Sequence, residues 1–186
     1  SYTYAKSLGV SNADFGGVSL YFPTRAYNYG PLGYDIRHML MINYNYEVPN
    51  LGKKYNNWIL GVITDNWMLS GITTFMTGTP FTPGFSTSDG ADITGSQEGA
   101  RIVVIADPSL PSSERTFDRN FKTEAFARPA KGTFGNIGLN TMRNPSWNNW
   151  DMSFSKRIPL KSEQRYFHFR CEFYNIWNHT QFNGYN

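Results

Sequence analysis

From Arg37 to Val48 the chain alternates without interruption: His38, Leu40, Ile42, Tyr44, Tyr46 and Val48 fall on one side, and Met39, Met41, Asn43, Asn45 and Glu47 on the other. A two-residue period marks a β-strand, whose successive side chains point to opposite faces. One face is aliphatic and then aromatic; the other turns polar. Trp67 to Thr77 repeats the pattern more weakly, with Trp67, Leu69, Thr73 and Phe75 against Met68, Ser70, Ile72, Thr74 and Met76. Asn149 to Ile158 sets Trp150, Met152 and Phe154 against Asp151, Ser153 and Ser155, and Arg165 to Trp177 sets Phe167, Phe169, Cys171 and Phe173 against His168, Arg170 and Glu172. Tyr2-Thr3-Tyr4-Ala5 reads as the end of a fifth strand, and no helix-period segment of useful length stands out. Tyr55 to Ile63 fits an early strand or a short helical turn, because a short apolar run does not distinguish the two.

The connections differ in length. Pro49 to Lys54 and Pro159 to Glu163 read as short turns, whereas residues 78 to 148 carry many Gly, Pro, Ser, Thr and Asp, with only Ile102 to Ile105 resembling a strand. Residues 6 to 36 are also long. Compact soluble domains rarely keep connections of this size without a functional reason.

Strands of about ten residues, aromatics toward their ends and connections short on one side and long on the other predict an all-β chain forming part of an antiparallel transmembrane β-barrel. In hydrocarbon every backbone N–H and C=O must be paired within the protein, so a spanning sheet closes on itself and alternate side chains face lipid and lumen. Ten residues at roughly 3.3 Å each, tilted by about 40°, cover about 25 Å, the height of the apolar band. Tyr44, Tyr46, Trp67, Trp150 and Trp177 then suit interfacial girdles. The lumen-facing candidates are Asn43, Asn45, Glu47, Asp151, His168, Arg170 and Glu172. The alternative is a surface-attached or secreted β-sandwich binding module, which buries its apolar side against a second sheet. What covers Leu40, Ile42, Phe167 and Phe169 decides between them.

Composition narrows the chemistry further. The formal net charge is only +3 and the basic residues are spread along the chain, so nucleic-acid binding gets no support. A lone cysteine, Cys171, rules out an intramolecular disulfide and a multi-cysteine zinc site; on the apolar side it reads as a small apolar residue. His38, His168 and His179 lie on separate segments without metal-ligand spacing, and Ser88-Asp89-Gly90-Ala91-Asp92 lacks the spacing and closing Glu of an EF-hand loop. Ser, His and Asp are scattered, without the convergence a catalytic site needs, so neither enzymatic activity nor a cofactor is expected. The longest apolar run, Trp58 to Ile63, falls well short of the roughly 20 residues of a spanning helix. The chain opens at Ser1 without Met or a signal core, and so reads as a processed protein or a piece of a longer one.

Phe134-Gly135-Asn136-Ile137-Gly138-Leu139-Asn140, then Asn144-Pro145, then the runs Asn149 to Lys156 and Phe169 to His179, resemble the closing part of TonB-dependent outer-membrane receptors of the Oar-like kind. Upstream, Tyr29-Gly30-Pro31 with Asp35-Ile36-Arg37-His38 resembles that family's entry into a strand. Asn66 to Gly71 followed by Gly78-Thr79-Pro80-Phe81 resembles the next strand and its exit. The sequence departs from the family at Leu139, where Arg is usual, and at Asn144-Pro145-Ser146, where Gly-Pro-Gly is usual.

The resemblance implies a parent barrel of about 22 strands enclosing a plug. Residues 1–186 would supply about five to six strands and a long extracellular loop at about 78–148, with the plug and the TonB-contacting segment outside this chain. The implied function is ligand binding and energy-coupled uptake at the bacterial outer membrane. The implied partners are outer-membrane lipid, the remainder of the barrel and its plug, the TonB complex and an unidentified extracellular ligand. A structural or adhesive barrel component without transport is the alternative within that fold. Arg170 and Glu172, two apart on one strand, read as a wall ion-pair ladder before a contact to substrate or plug. Asp35 and Arg37 are expected to brace the rim of a long loop. Phe81, Phe85, Phe117, Phe121, Phe126 and Phe134 offer aromatic surface, first for the loop's own packing and second for a ligand.

Overall fold

The structure is a computed structural model that describes residues 1–10, 27–86, 94, 100–116, 119–160, 162–182 and 184–185. Phe117 and the acidic stretch Ser88 to Asp92 lie outside the described residues. The chain divides into two compact units. Residues 1–5, 36–78 and 145–186 make the first, and residues 6–35 and 79–144 the second.

The first unit is an antiparallel sheet whose five strands follow one another in sequence order: β1 (Tyr2–Tyr4), β2 (His38–Glu47), β3 (Trp67–Met76), β4 (Trp147–Leu160) and β5 (Ser162–Phe173). Two short helices, α1 (Leu51–Lys54) and α2 (Trp58–Thr64), lie between β2 and β3. The sheet is open, with β1 and β5 at its edges. No described helix is long and apolar enough to cross a membrane.

Residues directly opposed across antiparallel strands share a face, and the register therefore sorts the side chains. Ile42, Thr73 and Trp150 form one row, and Tyr44, Gly71, Met152 and Phe173 another on the same face. Asn43, Ile72 and Asp151 form the row between them on the opposite face. Summed over the sheet, Leu40, Leu69, Phe75, Phe154, Cys171, Phe169 and Phe167 join the first face, while Asn45, Ser70, Ser153 and Glu172 join the second.

The apolar face is uncovered. Ile42 is 43% exposed, Phe167 59% and Phe169 49%, and Leu40 is half-buried. A sandwich buries such residues against a second sheet; here Ile42, Phe167 and Phe169 remain exposed. Leaving such side chains in water forgoes about 1.5–3 kcal/mol for each one that burial would have removed from it, and a contiguous apolar surface of this kind calls for a nonaqueous neighbour.

The short turn expected at Pro49 to Lys54 is replaced by a longer connection, Val48 to Asn66, that holds both helices. The Asn57 side chain accepts hydrogen bonds from the N–H groups of Ile59 at 3.0 Å and Leu60 at 3.1 Å, capping α2. Asn56 and Asn66 take φ of 49° and 59°, in the left-handed region that Asn enters more readily than most residues. Gly52 on α1 faces Gly61 on α2, and a Cβ on Gly52 would overlap the Gly61 backbone. The cap ahead of Trp58 and the bare glycine contact resolve the ambiguous apolar run as helix.

Among its described residues the second unit holds three antiparallel ladders of two residues per strand. Leu8–Gly9 pairs with Gly30–Pro31, Pro80–Phe81 with Met142–Arg143, and Val103–Val104 with Phe126–Ala127. Single 3₁₀ turns occur at Ser112–Glu114 and Thr123–Ala125. Among the described residues Leu110, Ala125 and Ile137 are its buried apolar side chains, and Phe121 meets Phe126 edge-on with centroids 5.9 Å apart.

Candidate functional site

The register places all seven lumen-facing candidates on the polar face of the sheet. Five of them, Asn43, Asn45, Asp151, Arg170 and Glu172, line a hollow of about 520 Å³ together with Ser70, Ser153 and Tyr174. Glu47 lines a second hollow of about 200 Å³ with Asn50, Asn66 and Arg157. His168 stands opposite Arg157 on β4 and two residues from Arg170 on the same strand, and lines neither hollow. The floor of the larger hollow is made of small hydroxyls, with Ser70 Oγ and Ser153 Oγ 2.7 Å apart. Period-two alternation brings these groups together, since each strand contributes every second residue.

The charges lining the larger hollow are engaged. Arg170 pairs with Glu172 on its own strand at 2.7 Å, while Tyr174, past the end of β5, donates its hydroxyl to Glu172 at 2.9 Å. Asp151 accepts from the Asn175 N–H at 2.9 Å and from the Asn149 amide at 3.0 Å. The first of these bonds anchors the turn after β5, where Asn175 has φ 48° and exchanges hydrogen bonds with His179, its amide donating to the His179 carbonyl and its side-chain oxygen accepting from the His179 N–H, each at 2.9 Å. Ile176 N–H donates to the Trp150 carbonyl at 2.9 Å, and Trp177 packs edge-on to Trp150. The Asn175 to His179 motif is thus a clasp that folds the chain back onto β4. Chemically, the hollow offers a carboxylate, an ion pair and neutral donors and acceptors, a surface suited to hydrated polar groups.

The two loop-rim candidates part company. Asp35 lies in the second unit with its side chain fully buried; it accepts from the Ser7 N–H at 2.7 Å and is ion-paired with Arg143. Nη1 of Arg143 also donates to the Asp35 carbonyl at 2.9 Å. Arg37 belongs to the first unit, where its carbonyl accepts from the Ala5 N–H at 3.1 Å.

A second half-buried cation organises the same unit as Asp35. Arg101 donates to the carbonyls of Tyr27 at 2.6 Å and Ile137 at 3.3 Å and to the Asn28 side-chain oxygen at 2.6 Å. Its guanidinium lies 5.0 Å from the Tyr27 ring centroid. Burial pushes the Tyr27 phenol above its ordinary value, and the Arg101 charge pulls it partly back. Arg143, Arg101 and Tyr174 carry no signal in the local sequence; the partners of the two arginines lie up to 108 residues away.

An antiparallel sheet with one uncovered apolar face, one polar face and connections of contrasting length is a stretch of membrane-spanning β-barrel wall. A family model described as an outer membrane beta barrel domain matches residues 1–186, and the chain belongs to that family. Its location is the bacterial outer membrane. Neither the curated proteins nor the solved structures contain a match to this chain.

Proposed function

We propose that this chain is part of the wall of a TonB-dependent outer-membrane receptor, which captures a ligand with its long outer connections and admits it when inner-membrane energy moves a plug within the lumen. The observation that carries this reading is that the two long connections fold into a compact unit with its own core and a buried Asp35 ion-paired with Arg143. A wall that only passes solutes has little need of such a unit, whereas a receptor gains affinity from a preorganised surface. The resemblance of Asn149 to Lys156 and Phe169 to His179 to the closing strands of these receptors supports it. The polar hollow lined by Asp151, Arg170 and Glu172 suits a lumen face against which a plug rests.

The test uses the whole polypeptide that carries this chain, presented to the immobilised periplasmic domain of TonB. Retention that is lost when the plug segment is removed supports energy-coupled transport. No retention, together with free passage of small sugars through the reconstituted protein, overturns it in favour of a passive or structural barrel.

A further inference from the structure

The connection from Val48 to Asn66 is larger than the join between two antiparallel strands requires, since two residues suffice for a hairpin. Its polar backbone ends are satisfied internally. Asp65, itself buried, accepts from the N–H groups of Gly52 at 2.8 Å and Lys53 at 3.1 Å, and Asn57 caps α2. The surface it presents outward is apolar: Trp58 is 78% exposed, Ile59 56%, Val62 53% and Ile63 63%. At positions i, i+1, i+4 and i+5 they form a single stripe. Lys53 and Lys54 are exposed on the neighbouring helix.

This stripe is joined to the end of the apolar face of the wall. Lys156 and Trp67 are directly opposed on that face. The Lys156 ammonium donates to the carbonyls of Ile63 at 3.0 Å and Asp65 at 2.9 Å, and it lies 4.8 Å from the Trp67 ring centroid. Trp67 Nε1 donates to the same Ile63 carbonyl at 2.7 Å. This cation of the apolar face is thus used to hold α2, so the greasy surface continues from Trp67 to the helix across a lysine whose ammonium is hydrogen-bonded.

We propose that the α1–α2 hairpin is a membrane-interface anchor. Trp58, Ile59, Val62 and Ile63 enter the boundary between headgroups and acyl chains of the phospholipid leaflet at the short-connection end of the wall, and Lys53 and Lys54 meet the lipid phosphates. Tryptophan with branched aliphatics on one side and lysines beside them is the composition that such a boundary retains. Continuity with the lipid-facing wall favours phospholipid over a soluble partner. The inference rests on the reading that the apolar face of the sheet meets lipid, and extends it to a segment that does not span.

The test places an environment-sensitive nitrobenzoxadiazole probe at Ile59→Cys, and separately at Phe169→Cys on the wall, each in a Cys171→Ser background. The whole polypeptide is reconstituted in phosphatidylethanolamine–phosphatidylglycerol vesicles containing spin-labelled phospholipid. The expected result is quenching of both probes, with Ile59 quenched about twofold more by a headgroup-proximal label than by one at the acyl end. Replacing phosphatidylglycerol by phosphatidylcholine is expected to weaken the Ile59 quenching, and Lys53→Glu with Lys54→Glu to abolish that dependence. Quenching at Phe169 but not at Ile59, whether the Ile59 probe emits as in water or as if covered by protein, overturns the anchor and leaves the wall intact. Absence of quenching at both overturns the underlying reading. Heat-shifted electrophoretic mobility reports folding, and Val62→Cys carries the probe if Ile59→Cys does not fold.

Discussion

The ring of Tyr44 on β2 lies over Gly71 on β3. A Cβ added at Gly71 would fall 2.5 Å from the tyrosine Oη and 2.7 Å from its Cζ, and 2.6 Å from the carbonyl oxygen of Asp151 on β4. Glycine inside a strand ordinarily weakens it, having no side chain to pack; here a neighbour's ring fills the space and the next strand's backbone closes it. Gly71→Val is expected to destabilise the sheet by about 1–3 kcal/mol through overpacking, measured by urea unfolding from phospholipid vesicles. In a cycle with Tyr44→Ala, the cost of Gly71→Ala falls but does not vanish, because the Asp151 oxygen remains in place.

Ile42 and Asn43 are adjacent in sequence and opposite in environment, Ile42 exposed in the apolar row with Thr73 and Trp150, Asn43 in the polar row with Ile72 and Asp151. Ile42→Arg is expected to cost about 2–4 kcal/mol if its row lies near the bilayer midplane, and Asn43→Arg close to nothing. Equal costs for the two substitutions in vesicles would contradict the assignment of faces.

The faces were legible because alternation is a local property: Leu40, Ile42 and Tyr44 declare their side before any partner strand is known. The other strands were legible for the same reason, but their register was not, because a shift of two residues keeps the same faces together. Two further things were not legible. Trp58 to Ile63 carries the same residue types in a short helix as in a buried strand, and what decides it is the Asn57 cap and the contact between Gly52 and Gly61. The long connections show no period, because their structure is set by isolated side-chain-to-backbone bonds such as Arg101 to the Tyr27 carbonyl, 74 residues apart. Asp35 could be marked as a rim residue, but its partner Arg143 could not.

Removing Arg143 leaves Asp35 with an uncompensated charge and no exposed side-chain surface on which water could compensate, whereas Arg143 is 30% exposed and water compensates it in part once Asp35 is removed. Asp35→Ala also removes the acceptor for the Ser7 N–H. The expected loss is about 1–3 kcal/mol for Asp35→Ala and about 3–5 kcal/mol for Arg143→Ala, confined to the second unit. It is checked by limited proteolysis within residues 79–144 while the heat-shifted mobility of the wall is unchanged. Arg143→Lys keeps the charge but cannot donate in the planar fork that reaches both the carboxylate and the Asp35 carbonyl, so it should recover only part of that stability.

The Tyr27 phenol gives the second unit an alkaline limit. Burial raises its pKa above the ordinary value of 10.0, an effect larger than the opposing pull of Arg101. For an acid whose pKa is higher in the folded state, folded and unfolded chains bind the same number of protons well below that ordinary value. As pH rises past it the unfolded phenol ionises first, the folded state comes to hold the extra proton, and stability falls. Protease resistance of the second unit is therefore expected to hold from neutral pH to about 9 and to decline above about 10. In Tyr27→Phe, which keeps an aromatic ring beneath Arg101 but has no proton to lose, the decline should be shallower than in the parent chain. An identical alkaline profile in the two proteins would assign the loss to other groups.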